Sequence, residues 1–186
     1  MKKRLFLLLM LLLSSVAVLA QNTENKTPWH PSWAIRGGFN YSTMPASALH
    51  WDWREGANFG ITVDLPLGTE WAARPGFYYT MKGYKSSLND KTVWKLNYLE
   101  IPLAFVHKIR ICNIFNVELQ IGSYFAYGVS PIIRNGHLKR FDWGPNAGLG
   151  FNIWHIYLGA TYDFGVVSLI NHGLNQCFMT NIGYVF

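Results

Sequence analysis

Cysteine is nearly absent from this chain, which holds only Cys112 and Cys177, so it is not a disulfide-stapled scaffold. Charge is also sparse: Asp, Glu, Lys and Arg make up 14% of the residues, against about 25% in ordinary soluble domains. Basic residues outnumber acidic ones, 16 to 10, but three of them are Lys2, Lys3 and Arg4 at the extreme N-terminus. Without those three the balance is 13 to 10, too even to call for a nucleic-acid partner. Beyond residue 20 no stretch approaches the roughly 20 consecutive apolar residues of a membrane helix. The chain does have many glycines (17) and many aromatics (12 Phe, 10 Tyr, 8 Trp), set in short alternating runs. That combination points to an all-β protein.

The N-terminus carries a basic start, the apolar run Leu5 to Leu13, and a small-residue stretch ending Val18-Leu19-Ala20. This is the pattern of a secretory signal peptide, with cleavage expected after Ala20. The expected division is a signal peptide over 1–20, a periplasmic N-terminal segment over 21–32, and one β-barrel domain over 33–186.

Read with a period of two, the remainder resolves into eight strands. They run over about Arg36 to Ser42, Asn58 to Leu67, Trp71 to Tyr84, Leu96 to Ile109, Phe115 to Val129, Asn146 to Ile153, Ile156 to Val166, and Cys177 to Phe186. One face of each is bulky and almost free of charge, as in Phe115, Val117, Leu119, Ile121, Phe125, Tyr127 and Val129. The other face carries Gly, Asn, Thr, Ser, Tyr and a few charges. A soluble sandwich or lipocalin-like barrel would show water a face rich in Lys and Glu, and neither face here is so equipped. Small polar residues suit a narrow interior and an uncharged face suits lipid. The expected fold is therefore an eight-stranded antiparallel up-and-down transmembrane β-barrel in the bacterial outer membrane.

The connections alternate in length. Gly68 to Glu70, Arg110 to Ile114 and Trp154-His155 are short; Thr43 to Ala57, Lys85 to Lys95, Ser130 to Gly144 and Ser168 to Gln176 are long. Short periplasmic turns and long external loops produce this alternation. Aromatics fall towards strand ends, with Trp33, Trp71, Trp94, Trp143, Trp154, Tyr184 and Phe186 expected to form interfacial girdles. Pro75 and Pro102 fall inside strands, where proline removes a ladder donor, and predict a bulge or irregular pair between the third and fourth strands. The alternating C-terminal strand ending at Phe186 is expected to pair with Ile35 to Tyr41 and to engage the barrel-assembly machinery.

Pro75-Gly76-Phe77-Tyr78-Tyr79, Lys82-Gly83, and above all Tyr98-Leu99-Glu100-Ile101-Pro102-Leu103 resemble the PorT-like outer-membrane β-barrel family of Gram-negative bacteria. Gly37-Gly38-Phe39-Asn40-Tyr41-Ser42 resembles that family's first strand. The resemblance covers most of the chain after the signal and implies fold and location. It also raises a component of a secretion or transport assembly, with secretion-system partners, as an alternative to a purely structural or binding role.

Seven charges fall on inward positions: Arg36, Asp64, Arg74, Lys82, Glu100, Glu118 and Asp163. Charges in a confined lumen must pair. The expected network sets Arg74 between Asp64 and the pair Glu100 and Glu118, with Arg36 beside Asp64, and plugs the lumen. At the outer rim, Lys85, Lys91, Arg134, Lys139 and Arg140 are candidates for lipopolysaccharide phosphates. His137, His172, Ser130 and Ser168 show no nucleophile–base spacing, and His50, His137 and His172 no ligand spacing. No catalytic, cofactor or metal site is therefore assigned, and a small lipid-modifying enzyme is the least favoured alternative. Cys112 and Cys177 should lie at opposite ends of the barrel, beyond the roughly 7 Å a disulfide allows.

Overall fold

A computed structural model describes residues 30–43, 51–86, 93–129, 140–170 and 173–186. The strands are β1 (Ser32–Thr43), β2 (Trp51–Asp52), β3 (Arg54–Pro66), β4 (Trp71–Ser86), β5 (Val93–Cys112), β6 (Phe115–Gly128), β7 (Phe141–Ile153), β8 (Ile156–Ile170) and β9 (Gly173–Val185). Every strand pairing is antiparallel. β2 continues β3 past a break at Trp53, and both lie on β4, so the wall has eight staves. It is closed: β1 pairs with β9, with Ile35 opposite Tyr184 and Tyr41 opposite Phe178. This is the eight-stranded antiparallel barrel that the alternation predicts.

The strands run further than the alternation alone delimits. β1 begins at Ser32, so Trp33 lies within it opposite Val63. β5 reaches from Val93 to Cys112. β7 begins at Phe141, bringing Asp142, Trp143 and Gly144 out of the expected loop and into the wall. Backbone groups in a bilayer must all be hydrogen-bonded internally, which favours extending the ladder to the membrane boundary regardless of local propensity.

Pairing can be followed once round the wall. Asn152 leads to Tyr157, then Gly183, Arg36, Gly60, Tyr78, Glu100, Ala126 and finally Asp142. The path returns to β7 ten residues from where it began. With about 3.3 Å per residue and about 4.7 Å between strands, this offset tilts the strands by about 41° and gives a radius of about 8 Å. Every residue on that path faces inward. The neighbouring path through Phe151, Leu158, Ile182, Gly37, Phe59, Tyr79, Leu99, Tyr127 and Phe141 runs along the outside.

The outside is apolar. Phe39 is 71% exposed and Ile121 64%, among dozens of exposed large hydrophobic residues. An apolar belt on this scale far exceeds what a water-facing surface carries, and hydrocarbon is its natural solvent. At one end the turns are tight: Leu67 donates to the Trp71 carbonyl at 2.7 Å, Asn113-Ile114 joins β5 to β6, and Trp154-His155 joins β7 to β8. Both the start of β1 and the end of β9 lie at this short-turn end.

Two local features follow from proline and glycine. The β4–β5 ladder lapses between the pairs Pro75–Leu103 and Tyr78–Glu100, then resumes in the same register. The two prolines thus produce an irregular pair and no bulge. Gly38 makes a close approach across the closing seam, where a Cβ would stand 1.8 Å from the Thr180 carbonyl oxygen. Gly38→Ala is expected to lower stability by about 1–3 kcal/mol through overpacking. Reversible urea unfolding from phospholipid vesicles measures it, and Gly37→Ala, whose Cβ would meet nothing nearer than 3.5 Å, should cost much less.

Candidate functional site: the lumen

The inward positions hold four cations, Arg36, Arg74, Lys82 and Lys108, and five carboxylates, Asp64, Glu100, Glu118, Asp142 and Asp163, all buried. Ionised groups at this depth need close partners, and they fall into two layers.

The layer nearer the short turns centres on Arg74 of β4. Its guanidinium takes Asp64 of β3 on Nε and Nη2, the latter at 2.7 Å, and reaches Glu118 of β6 at 2.7 Å. Lys108 of β5 bonds Asp64 at 2.7 Å and lies 3.9 Å from Glu118. Asn152 of β7 donates to Glu118, and Gln120 of β6 donates to Thr161 of β8 at 2.7 Å. One arginine and one lysine thus tie four neighbouring staves around two carboxylates.

The second layer centres on Lys82 of β4, which bonds Glu100 of β5 at 2.6 Å and Asp163 of β8 across the lumen at 3.0 Å. Its ammonium lies 4.6 Å from the centre of the Tyr124 ring. The Tyr124 hydroxyl donates to Asp142 at 3.0 Å, and Asn175 donates to the same carboxylate at 2.9 Å. Asn40 donates to the Met81 carbonyl at 2.8 Å.

Arg36 stands apart from both layers. Its guanidinium carbon lies over Tyr157, 3.7 Å from the ring centre, within cation–π range. Glycines make room for this contact. A Cβ on Gly159 would come within 2.2 Å of the Tyr157 hydroxyl, one on Gly150 within 2.6 Å of its ring, and one on Gly183 within 2.8 Å of Arg36 Cγ. The barrel contains at least two spaces among the described residues. A cavity of about 40 Å³ lies at mid-lumen, lined among others by Arg36, Tyr78, Glu100 and Gln120. A vestibule of about 300 Å³ occupies the short-turn end, lined among others by Arg36, Lys108, Asn116, Asn152 and His155.

The expected network is therefore altered in two places. Arg74 sits between Asp64 and Glu118, but Glu100 belongs to Lys82. Arg36 is not beside Asp64, whose oxygens are taken by Arg74 and Lys108; it lies over Tyr157 instead. Lys108 and Asp142 escape the sequence reading, although both share the parity of recognised inward residues, Lys108 with Glu100 and Asp142 with Asn146. Asp142 lies in what the alternation delimits as a loop, whereas Lys108 lies inside the expected fourth strand on its inward parity and its signal was legible there.

Of the rim residues, Arg140 is exposed. Lys91, Arg134 and Lys139 lie outside the described residues, as does the side chain of Lys85. Trp33, Trp71, Trp154, Tyr184 and Phe186 are exposed on the outer wall at the short-turn end, where Trp33 stacks on Phe186 at 3.9 Å. Trp143 is exposed towards the other end, and the side chain of Trp94 is outside the described residues. Cys112 is exposed at the short-turn end and Cys177 is buried in the lumen; both are free thiols. His50, His137, His172 and Ser130, and the side chain of Ser168, lie outside the described residues. Among the described residues no three His, Cys, Asp or Glu side chains converge as a metal site would require.

Removing Arg74 takes from Asp64 and Glu118 the cation they share and leaves Lys108 as their remaining charge partner. Arg74→Met is expected to cost about 3–5 kcal/mol. In that background Asp64→Asn should cost less than it does alone, because the carboxylate it removes has already lost its main partner. A double-mutant cycle on urea unfolding reads the difference, and strict additivity would count against the network.

Comparison with known proteins agrees with this architecture. No curated protein sequence matches the chain. The solved structure of Neisserial surface protein A is similar at a TM-score of 0.54 and 12% identity, covering 85% of this chain and 100% of that one. Ail of Yersinia pestis, crystallised with the heparin analogue sucrose octasulfate, is similar at a TM-score of 0.50 and 15% identity, with coverage of 85% and 100%. The N-terminal β-barrel domain of Pseudomonas aeruginosa OprF gives a TM-score of 0.50 at 12% identity, with coverage of 86% and 100%. At such identities the likeness is one of fold. The family model described as the outer membrane protein beta-barrel domain matches residues 19–171, and with its closed eight-stave wall, apolar exterior and charged, packed lumen, the chain belongs to that family.

Proposed function

We propose that this protein is a structural or binding barrel of the outer membrane whose lumen is plugged. The observation that carries the reading is the filling of the interior: two layers of ion pairs cross it, with a cavity of about 40 Å³ at mid-lumen. That is room for a water or two, not for a continuous aqueous path. Buried Tyr78, Tyr98, Tyr124 and Tyr157 occupy most of the rest.

By the general rule of such barrels the short-turn end faces the periplasm and the longer connections face outward. Trp33, Trp71, Trp154, Tyr184 and Phe186 would then anchor the periplasmic interface, and Trp143 with Trp94 the outer one. Arg140, with Lys85, Lys91, Arg134 and Lys139, would meet lipopolysaccharide phosphates. The C-terminal strand, ending at Phe186, would present the alternating signal read by the assembly machinery. The resemblance to PorT-like proteins supports a second reading, a component of a secretion or transport assembly.

Purified barrel in a planar bilayer is expected to give no conductance steps, and Arg74→Ala should remain at baseline because Lys108 and the tyrosines still fill the section. Open-channel steps from the wild type would defeat the plugged reading. Charge reversal at Arg140 is expected to weaken binding to immobilised lipopolysaccharide measurably and to do so less at high salt. Affinity capture from detergent extracts distinguishes the second reading, which requires stoichiometric partners.

A further inference from the structure

Arg36 is a buried guanidinium, 4% exposed, whose Nε has no hydrogen-bond partner. Among the described residues none of the lumen's ion pairs includes it. An arginine does not deprotonate at this depth, so the charge persists and must be compensated or remain costly. The carboxylates that could compensate it are committed elsewhere: Asp64 and Glu118 to Arg74 and Lys108, Glu100 and Asp163 to Lys82.

Packing over Tyr157 occupies one side of the guanidinium, and its Nε–H is left without a partner. Arg36 lines both the mid-lumen cavity and the 300 Å³ vestibule at the short-turn end. The charges are also segregated along the barrel axis. The half next to the vestibule holds Arg36, Arg74 and Lys108 against Asp64 and Glu118. The opposite half holds Lys82 and the half-buried Arg54 against Glu100, Asp142 and Asp163. Among the buried side chains that line the vestibule, cations outnumber carboxylates by one.

We infer that Arg36 is the anchor of an anion site in the vestibule, and that the site takes a small oxyanion, a carboxylate or a phosphate, entering from the short-turn end. The planar N–H fork of arginine matches the spacing of two oxygens on either group. Asn116, Asn152 and His155, which also line the vestibule, offer polar contacts for the rest of such a ligand. The volume accommodates a small organic acid or a phosphate with its residual water, since about 150 Å³ holds a benzene molecule. The acidic layer beyond mid-lumen would repel the anion, so the site is a closed end and not a stage of a passage. This inference is separate from the role of the outer rim and stands whether or not lipopolysaccharide binds there.

The test uses the whole barrel in phosphatidylcholine nanodiscs at constant ionic strength. Sodium phosphate, sodium acetate and sodium chloride are each titrated while the Arg36 Nε–H resonance is followed, assigned by its loss in Arg36→Gln. A saturable shift with phosphate or acetate, not matched by chloride, supports the site, and whichever of the two saturates first identifies the ligand class. No saturable shift with either, or the same shift with chloride, overturns it. By calorimetry Arg36→Gln is expected to weaken binding at least tenfold, the loss of a charge-assisted hydrogen-bonded pair. Equal affinity in wild type and variant overturns the assignment to Arg36. Should Arg36→Gln fail to refold, Arg36→Lys keeps the charge, supplies the resonance assignment, and is expected to bind more weakly for want of the fork.

Discussion

Eight strands offset by ten residues enclose a tube of about 8 Å radius, and almost everything else about this molecule answers to that narrowness. The interior is too tight for bulk water, so each inward charge must find a partner on another stave. Arg74 and Lys82, both on β4, meet this demand by reaching to β3, β5, β6 and β8. The same narrowness accounts for the inward glycines. Tyr157 can lie against the wall only because Gly150 and Gly159 have no side chains in its way. Large tyrosines, small glycines and paired charges are three ways of filling one small cross-section.

The outer face is governed by the opposite requirement. Hydrocarbon cannot hydrogen-bond the backbone, so the ladder must be complete around the circumference. Pro75 and Pro102 break this rule locally, with one lapse in the β4–β5 ladder and one beside Pro75 in the β3–β4 ladder, and the register is unchanged after each. Neighbouring pairs on both sides hold the strands together, which is why two prolines near the middle of the wall are tolerated.

Much of this was legible in the sequence. Strict alternation from Phe115 to Gly128 reveals which side chains face lipid and which face the lumen, and the unequal connections reveal the end at which the termini lie. Partner choice was not legible to the same degree. Assigning Glu100 to Arg74 rests on depth along single strands. The β4–β5 register alone does not decide it, since Lys82 pairs with Leu96 and Arg74 with Ala104, each four residues from Glu100; it is Lys82 that reaches Glu100, at 2.6 Å. Depth in one strand becomes height in the barrel only once the tilt is known, and the tilt is a property of all eight registers together. Asp142 was lost for a simpler reason: propensity ends a strand earlier than a membrane does, and the expected sixth strand began only at Asn146.

The seam between β1 and β9 carries a consequence for time and not for stability. It joins Ala34 to Val185, residues about 150 positions apart, whereas most other pairings join strands adjacent in sequence. Contacts of such long range are slow to form because the entropy of the intervening chain must be lost before they contribute. Until the seam closes, the sheet has two raw edges bearing unpaired backbone groups in a lipid-facing wall. Such edges invite pairing with other chains, so the interval between synthesis of the last strand and its union with the first is when this protein is most exposed to aggregation.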